Sequence, residues 1–292
     1  MKKPVEKMNA EIHDAEAVLG YQEPVAQLLA LGDIRKLQQP YDYLALGLTP
    51  ADVPELIRVL CDDVLYWSDS EEERWAALHA AHALGQLRAE SAVDALISNL
   101  SRVDEDDWVM TDYPVILGQI GPAALPALQD ALQDSTQSEV ERVFTAEAVV
   151  SVAKQHPDAR DRCVALLLDQ LRLHAEQPEW LNASLISSLV ELDGREAAPV
   201  MAEAFESRHV DLSVVGDWED IQIDLGLLTK RLTPKPRALP DWKPEEHRDY
   251  AESDGALQQR PAKAQPTKTK KRKQDKLGRK QARQNKIKKK KK

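Results

Sequence analysis

The chain has 292 residues, with 49 Asp plus Glu against 39 Lys plus Arg, a formal net charge of −10, 11 Gly and 2 Phe. So few glycines and phenylalanines argue against a glycine-turn-rich all-β fold, and no apolar run approaches the roughly 18 residues that a membrane span needs. The net charge hides a division: residues 263–292 carry 16 Lys or Arg and one acid, Asp275, for +15, and residues 1–262 carry 23 bases against 48 acids, for −25.

Residues 1–20 read as a lead segment. Met1 to Lys7 is basic but no apolar stretch follows it, so no secretory signal is expected. A divergent helical pair is predicted from Glu23 to Leu60, with Pro24 and Pro54 inside first turns. The next pair opens at Ser70-Glu71-Glu72-Glu73, where acids suit a helix N-terminus, runs through Trp75 to Leu84 and stops near Gly85. Its second helix places Ala92, Val93, Leu96, Ile97 and Leu100 on one face.

The pattern then recurs. Leu84-Gly85-Gln86-Leu87 returns 33 residues later as Leu117-Gly118-Gln119-Ile120, and Ala92-Val93-Asp94-Ala95-Leu96 as Ala124-Leu125-Pro126-Ala127-Leu128. A third unit follows Val149 to Ala153, with Pro157 opening a helix that holds Val164, Leu167, Leu168 and Leu171. A fourth runs from Leu185 to Gly194 and on into Ala197 to Met201. Self-similarity at 30–40 residues with two helices per unit predicts an all-α superhelix over residues 21–228, a solenoid in which stacking is obligatory. Residues 229–262 are proline-punctuated and read as a linker. Residues 263–292 have too little apolar surface to offset their ordering entropy, so disorder is expected there.

Leu-Gly-x-Ile/Leu followed by Gly-Pro-Ala-Ala-Leu-Pro-Ala-Leu resembles HEAT repeats, in particular the short HEAT-like type of the phycobilisome lyases, well over residues 70–205. The resemblance implies an armadillo-type α-solenoid of about five pairs. His79 to Gly85 and Val215 to Ile221 also resemble an uncharacterised bacterial domain-of-unknown-function family, over about residues 20–230. Some of its members end in a Cys/His metal module, but no cysteine follows Cys163 here. The di-iron hydroxylases built on such repeats use repeated His-Glu dipeptides, and this chain contains none.

Four groups of residues invite a chemical reading. His79 and His82 lie one helical turn apart, a spacing that metals use, but they read more simply as helix contacts. Cys61 and Cys163 form no CxxC and are expected as small core residues of a cytoplasmic protein. Acids cluster at Asp62-Asp63, Asp69 to Glu73, Asp104 to Asp107 and Asp217 to Asp220; three of these clusters stand where helices are expected to start, so capping explains them cheaply, and a shared acidic surface is the alternative. Aromatics stand close to these acids: Trp67, Trp75, Trp108 and Tyr113, with Asp104, Glu105, Asp106 and Asp107, make a candidate surface for a partner's basic segment, through charge pairing and cation–π contact. The alternative is that the tryptophans pack between repeats.

The tail offers Lys270, Lys271, Arg272, Lys273, Arg279, Lys280, Arg283, Lys286, Lys288, Lys289 and Lys290 to a polyanion, without an aromatic for base stacking. No nucleophile motif or phosphate loop is present, so no catalytic residue and no cofactor is expected. The sequence therefore reads as a non-enzymatic interaction scaffold. A nucleic-acid- or ribosome-associated protein anchored by the tail is the alternative, and a lyase-type chaperone or enzyme resembling the phycobilin-attachment proteins is a third.

Overall fold

A computed structural model describes residues 20–38, 40–70, 72–102 and 107–235, with the side chains of 107–110 left out of that description. The tail candidates Lys270 to Lys290, and with them the rest of 236–292, lie outside the described residues. Every regular element described is helical, and no described helix is long and apolar enough to cross a membrane.

The predicted pair at 23–60 is only half formed. Its first part is a series of one- and two-turn 3-10 segments, Val25–Ala30, Ile34–Lys36, Leu44–Leu46 and Pro50–Asp52, before α1 at Val53–Leu60. Gly32, Pro40, Gly47 and Pro50 interrupt any longer helix. The burial nevertheless follows the apolar pattern, with Val25, Leu28, Leu56, Val59 and Leu60 inaccessible to solvent. Cys61, expected in the core, is exposed because it caps the C-terminus of α1, whereas Cys163 is buried as expected.

After the short α2 (Asp63–Tyr66) the chain builds regular pairs: α3 (Ala76–Gln86) with α4 (Val93–Asn99), α5 (Asp107–Ile120) with α6 (Leu125–Gln133), α7 (Glu139–Gln155) with α8 (Arg160–Leu171), and α9 (Glu179–Glu191) with α10 (Ala198–Glu206). Helices α11 (Leu212–Val215) and α12 (Trp218–Asp224) close the array. The first helices pack on one another as a layer, α3 on α5, then α7 and α9, and α1, the second part of the N-terminal pair, packs against α3. The second helices α4, α6, α8 and α10 form the other layer, and Ala92, Val93, Leu96, Ile97 and Leu100 all face the core between them.

Two local devices repeat. Each second helix is entered through a 3-10 turn that ends on a buried alanine, Ala92, Ala124, Ala159 or Ala197. In each the alanine N–H donates to the carbonyl three residues back. All four alanines are buried, and a close-packed interior at that point suits a small side chain. Gly85 and Gly118 mark the second device. A methyl group on Gly85 would meet Ile116 Cγ2 at 3.1 Å, and one on Gly118 would meet Ser151 Cβ at 2.8 Å, so neighbouring first helices touch backbone to side chain at these points.

Three helices end in Schellman turns whose left-handed residue is not glycine: Arg88 (φ 51°), Asp193 (φ 52°) and Arg208 (φ 61°). At α3 the Arg88 N–H donates to Gly85 O and the Ala89 N–H to Leu84 O, which satisfies two terminal carbonyls. A side chain in that conformation is strained, so Arg88→Gly is expected to raise stability by about 0.5–1 kcal/mol after glycine's own entropic cost. Urea unfolding of the two proteins checks this.

A buried polar ladder ties later pairs together. The Arg142 Nε donates to Leu132 O and its Nη2 to Gln177 Oε1, while Gln177 Nε2 donates to Asn182 Oδ1. Asn182 Nδ2 in turn donates to the His174 and His209 carbonyls, so residues of α6, α7 and α9 and the loops between share one network.

Candidate partner-binding surface

Asp62 caps α2, its carboxylate accepting from the Val64 and Leu65 N–H groups and from the Tyr21 hydroxyl at 2.8 Å. So short a helix cannot bury both faces. Val64 and Trp67 stay exposed, Trp67 by 44%, with the Tyr66 ring edge-on to it at 4.9 Å. Behind them Arg102 lies 4.3 Å over the Tyr66 ring and pairs with Asp63 at 2.9 Å. Ser68 and Ser70 donate to Glu73 and Glu72, which orders the acidic turn leading to α3. Trp67 therefore projects beside a stretch that carries Asp62, Asp63, Asp69, Glu72 and Glu73.

The other residues predicted for this surface do not all join it. Asp104, Glu105 and Asp106 lie outside the described residues. Asp107 and Trp108 open α5, but their side chains are not among those described. Tyr113 is only 4% exposed and packs in the core, so it does not face a partner. Trp75 is half-buried against the core and faces Arg35, whose guanidinium lies 5.2 Å from the ring centre.

That last contact repeats a grammar that sequence reasoning did not find. Arg35 is held by Asp33 through Nε at 2.8 Å and Nη2 at 2.5 Å, and this pairing brings the Asp33 carboxyl down to about 2. Arg58 lies 4.1 Å over Tyr21 and pairs with Glu55 at 2.9 Å. Arg102 does the same between Tyr66 and Asp63. In all three a guanidinium sits on a ring with a carboxylate at its edge, the arrangement in which charge pairing and cation–π attraction act together. Sequence separation hid it, since Arg35 and Trp75 are 40 positions apart and Arg102 and Asp63 are 39 apart.

His79 is wholly buried. Its Nε2 lies 2.7 Å from Gly32 O and its Nδ1 2.7 Å from the Tyr43 hydroxyl. A carbonyl only accepts, so the bonding assigns the proton to Nε2 and makes Nδ1 the acceptor. Burial lowers the His79 pKa to about 4. His82 stacks on the Tyr43 ring and its Nε2 lies 3.0 Å from Asp112 on α5. Both nitrogens of His79 are therefore engaged in structure, and among the described residues no three His, Cys, Asp or Glu converge as metal ligands.

On the first-helix layer, the Glu147 side chain is exposed overall, yet the protein crowded around its carboxyl, with Glu191 on α9 nearby, raises its pKa to about 7. At the other end of the stack the acids 217–220 start α12. The Asp217 side chain accepts from Asp220 N–H and Asp220 accepts from Asp217 N–H, a capping box. Capping thus accounts for Asp62 and Asp217 as predicted.

Residues 76–102 match the family model of the PBS lyase HEAT-like repeat. The matched span covers α3, the turn through Arg88, α4 and the 3-10 turn ending at Arg102, which is one complete helical pair. No curated protein and no solved structure matches the chain.

Proposed function

We propose that this stack of HEAT-like helical pairs is a non-enzymatic scaffold, working in the cytoplasm, that grips an arginine- or lysine-rich segment of a partner protein on the acidic surface around Trp67. The observation that carries the reading is the threefold use of one arrangement, a guanidinium between a ring and a carboxylate, at Arg35, Arg58 and Arg102. The chain's own arginines report what such a surface accepts. The exposed Trp67, with acids on both sides in sequence, offers the same elements to a second molecule. Trp108 and Asp104 to Asp107 are included in this proposal on their residue types alone, a tryptophan preceded by four acids in sequence.

The test is affinity capture with full-length protein, a 1–262 truncation and Trp67→Ala. Expected is a protein partner retained by the truncation and lost from Trp67→Ala, by about thirtyfold if the tryptophan is an anchor worth about 2 kcal/mol. Capture indifferent to Trp67 and abolished by the truncation would overturn it. That result would favour the second reading, attachment to RNA, DNA or a ribosome through the tail. Sixteen cations in residues 263–292 support it, and it demands an affinity that falls steeply with salt.

A further inference from the structure

Residues 229–235, read from composition as the start of a linker, are tied back onto α12. The helix ends in a Schellman turn at Gly226, whose φ of +66° suits glycine, with Leu227 N–H donating to Gln222 O. The chain thereby reverses and returns to the start of its own helix. There Arg231 Nη1 donates to Asp217 Oδ1 at 2.8 Å and to Asp220 Oδ1 at 2.6 Å, and Nη2 donates to Asp217 Oδ2 at 2.5 Å. The Leu232 and Thr233 N–H groups both donate to Glu219 Oε2, at 3.0 and 3.1 Å, and Lys235 Nζ lies 3.2 Å from Asp220. Arg231 is 19% exposed, and Asp217, Glu219 and Asp220 between 17% and 20%.

What sets this acidic group apart from the others is that its occupant is held as a peptide is held, by main chain as well as side chain. A side-chain fork supplies charge and orientation, and two successive main-chain N–H groups fix the backbone. The helix has anchorage of its own besides the strap. Ile221 and, just past its end, Leu225 are buried, and the Trp218 ring lies tilted against Phe205 of α10 with centroids 5.7 Å apart. The Leu232 side chain is 74% exposed and adds no core packing. Arg231 hydrogen bonding lowers the Asp217 carboxyl and the Thr233 N–H lowers Glu219, so all parts of the seat are charged at neutral pH.

We propose that residues 231–235 are a built-in blocking segment, occupying in cis a seat made by Asp217, Glu219 and Asp220 that recognises an extended, arginine-bearing segment of a partner protein. A tether this short gives the internal segment an effective concentration on the order of millimolar. A partner enters only by outcompeting it, and the segment that leads to the basic tail is then released. The inference borrows from the scaffold reading only the chemistry of the partner; it stands on contacts at the opposite end of the stack from Trp67.

The experiment uses the full-length chain and a labelled peptide of residues 229–236, Thr-Lys-Arg-Leu-Thr-Pro-Lys-Pro, followed by fluorescence anisotropy at low salt. Arg231→Gln is expected to bind the peptide at least tenfold more tightly than the unaltered protein. Arg231→Lys, which keeps the charge and loses the fork, should fall between them. Adding Asp217→Asn and Asp220→Asn to Arg231→Gln should remove the gain, and asparagine keeps the helix cap, so the fold is retained. Hydrogen exchange at Leu232 and Thr233 should be slower in the unaltered protein than in Arg231→Gln. Equal peptide affinity in the unaltered and Arg231→Gln proteins, or binding that survives the two asparagines, would overturn the proposal. Peptide binding as expected alongside capture indifferent to Trp67 would remove the Trp67 surface and leave this seat standing.

Discussion

Replacing His79 with alanine is expected to cost the fold about 3 kcal/mol or more, because it leaves two buried polar partners, the Tyr43 hydroxyl and Gly32 O, without their bonds at about 1–3 kcal/mol each. The same residue gives stability a pH dependence whose sign follows from its environment. Burial holds His79 near pKa 4 in the fold, against an ordinary 6.5 in the unfolded chain. Gly32 O and Asp33 favour the charged ring, while His82 opposes it. Between these values the unfolded chain binds more protons, so stability is fully present above pH 6.5 and is lost as pH falls towards 4. The loss approaches about 3 kcal/mol, since each tenfold change in proton affinity is worth about 1.36 kcal/mol. Glu147 works against it in part of the same window. Its raised pKa means that protonation below pH 7 relieves the fold, though its exposure makes that relief smaller. The comparison that isolates His79 is therefore a difference. Denaturation midpoints of the unaltered and His79→Ala proteins, measured from pH 7.5 to 4, should converge as the pH falls, and parallel curves would refute the assignment.

Gly118→Ala is expected to destabilise by about 1–2 kcal/mol, even though alanine for glycine inside a helix ordinarily gains about 1 kcal/mol. The sign turns on what the new methyl group meets. Ser151 Cβ lies 2.8 Å from its position, with Ser151 Oγ and Gln155 Nε2 nearer still. A Cβ cannot rotate away, so helices α5 and α7 must part, and overpacking of this kind costs about 1–3 kcal/mol. Gln155 would also lose its bond to Val115 O, now 3.0 Å. At Gly85 the nearest obstacle is the end of the Gln119 side chain, which can swing, so Gly85→Ala should cost less. A double-mutant cycle with Ser151→Gly checks the cause, since removing the wall should recover more than half of the Gly118→Ala loss.

These two sites also mark how far the sequence could be read. The recurrence of Leu-Gly-Gln at 84–86 and 117–119 was legible because the same close approach of first helices imposes the same residue twice. Ala92, Ala124, Ala159 and Ala197 recur for a similar reason, but at intervals of 32, 35 and 38 residues, and the drift obscures them to any fixed period. The N-terminal region was less legible. Glycines and prolines from Gly32 to Pro50 cut a helical apolar pattern into 3-10 turns that bury the same side chains. The candidate surface was legible in its composition and not in its pairing. Which tryptophan is covered depends on Arg35 reaching Trp75 across 40 residues, and Tyr113 was misplaced because its neighbours in sequence are acidic while its neighbours in space are the core. The Arg231 seat left one usable sign, a capping Asp-x-x-Asp followed by a glycine and then a lone arginine, which composition alone merged into a linker.

The glycine contacts of the first-helix layer bear finally on how one end of the stack answers to the other. The pairs are held mainly by contacts between neighbours, so the direction of each later pair is set largely by the joint before it. With layers about 10 Å apart, a change of about 0.5 Å at the Gly118 joint and none in the opposite layer turns everything beyond it by about 3°. Joints in series act as a lever. A partner that wedges or tightens one glycine contact would re-aim Trp67 relative to α12 without altering any bond at either place.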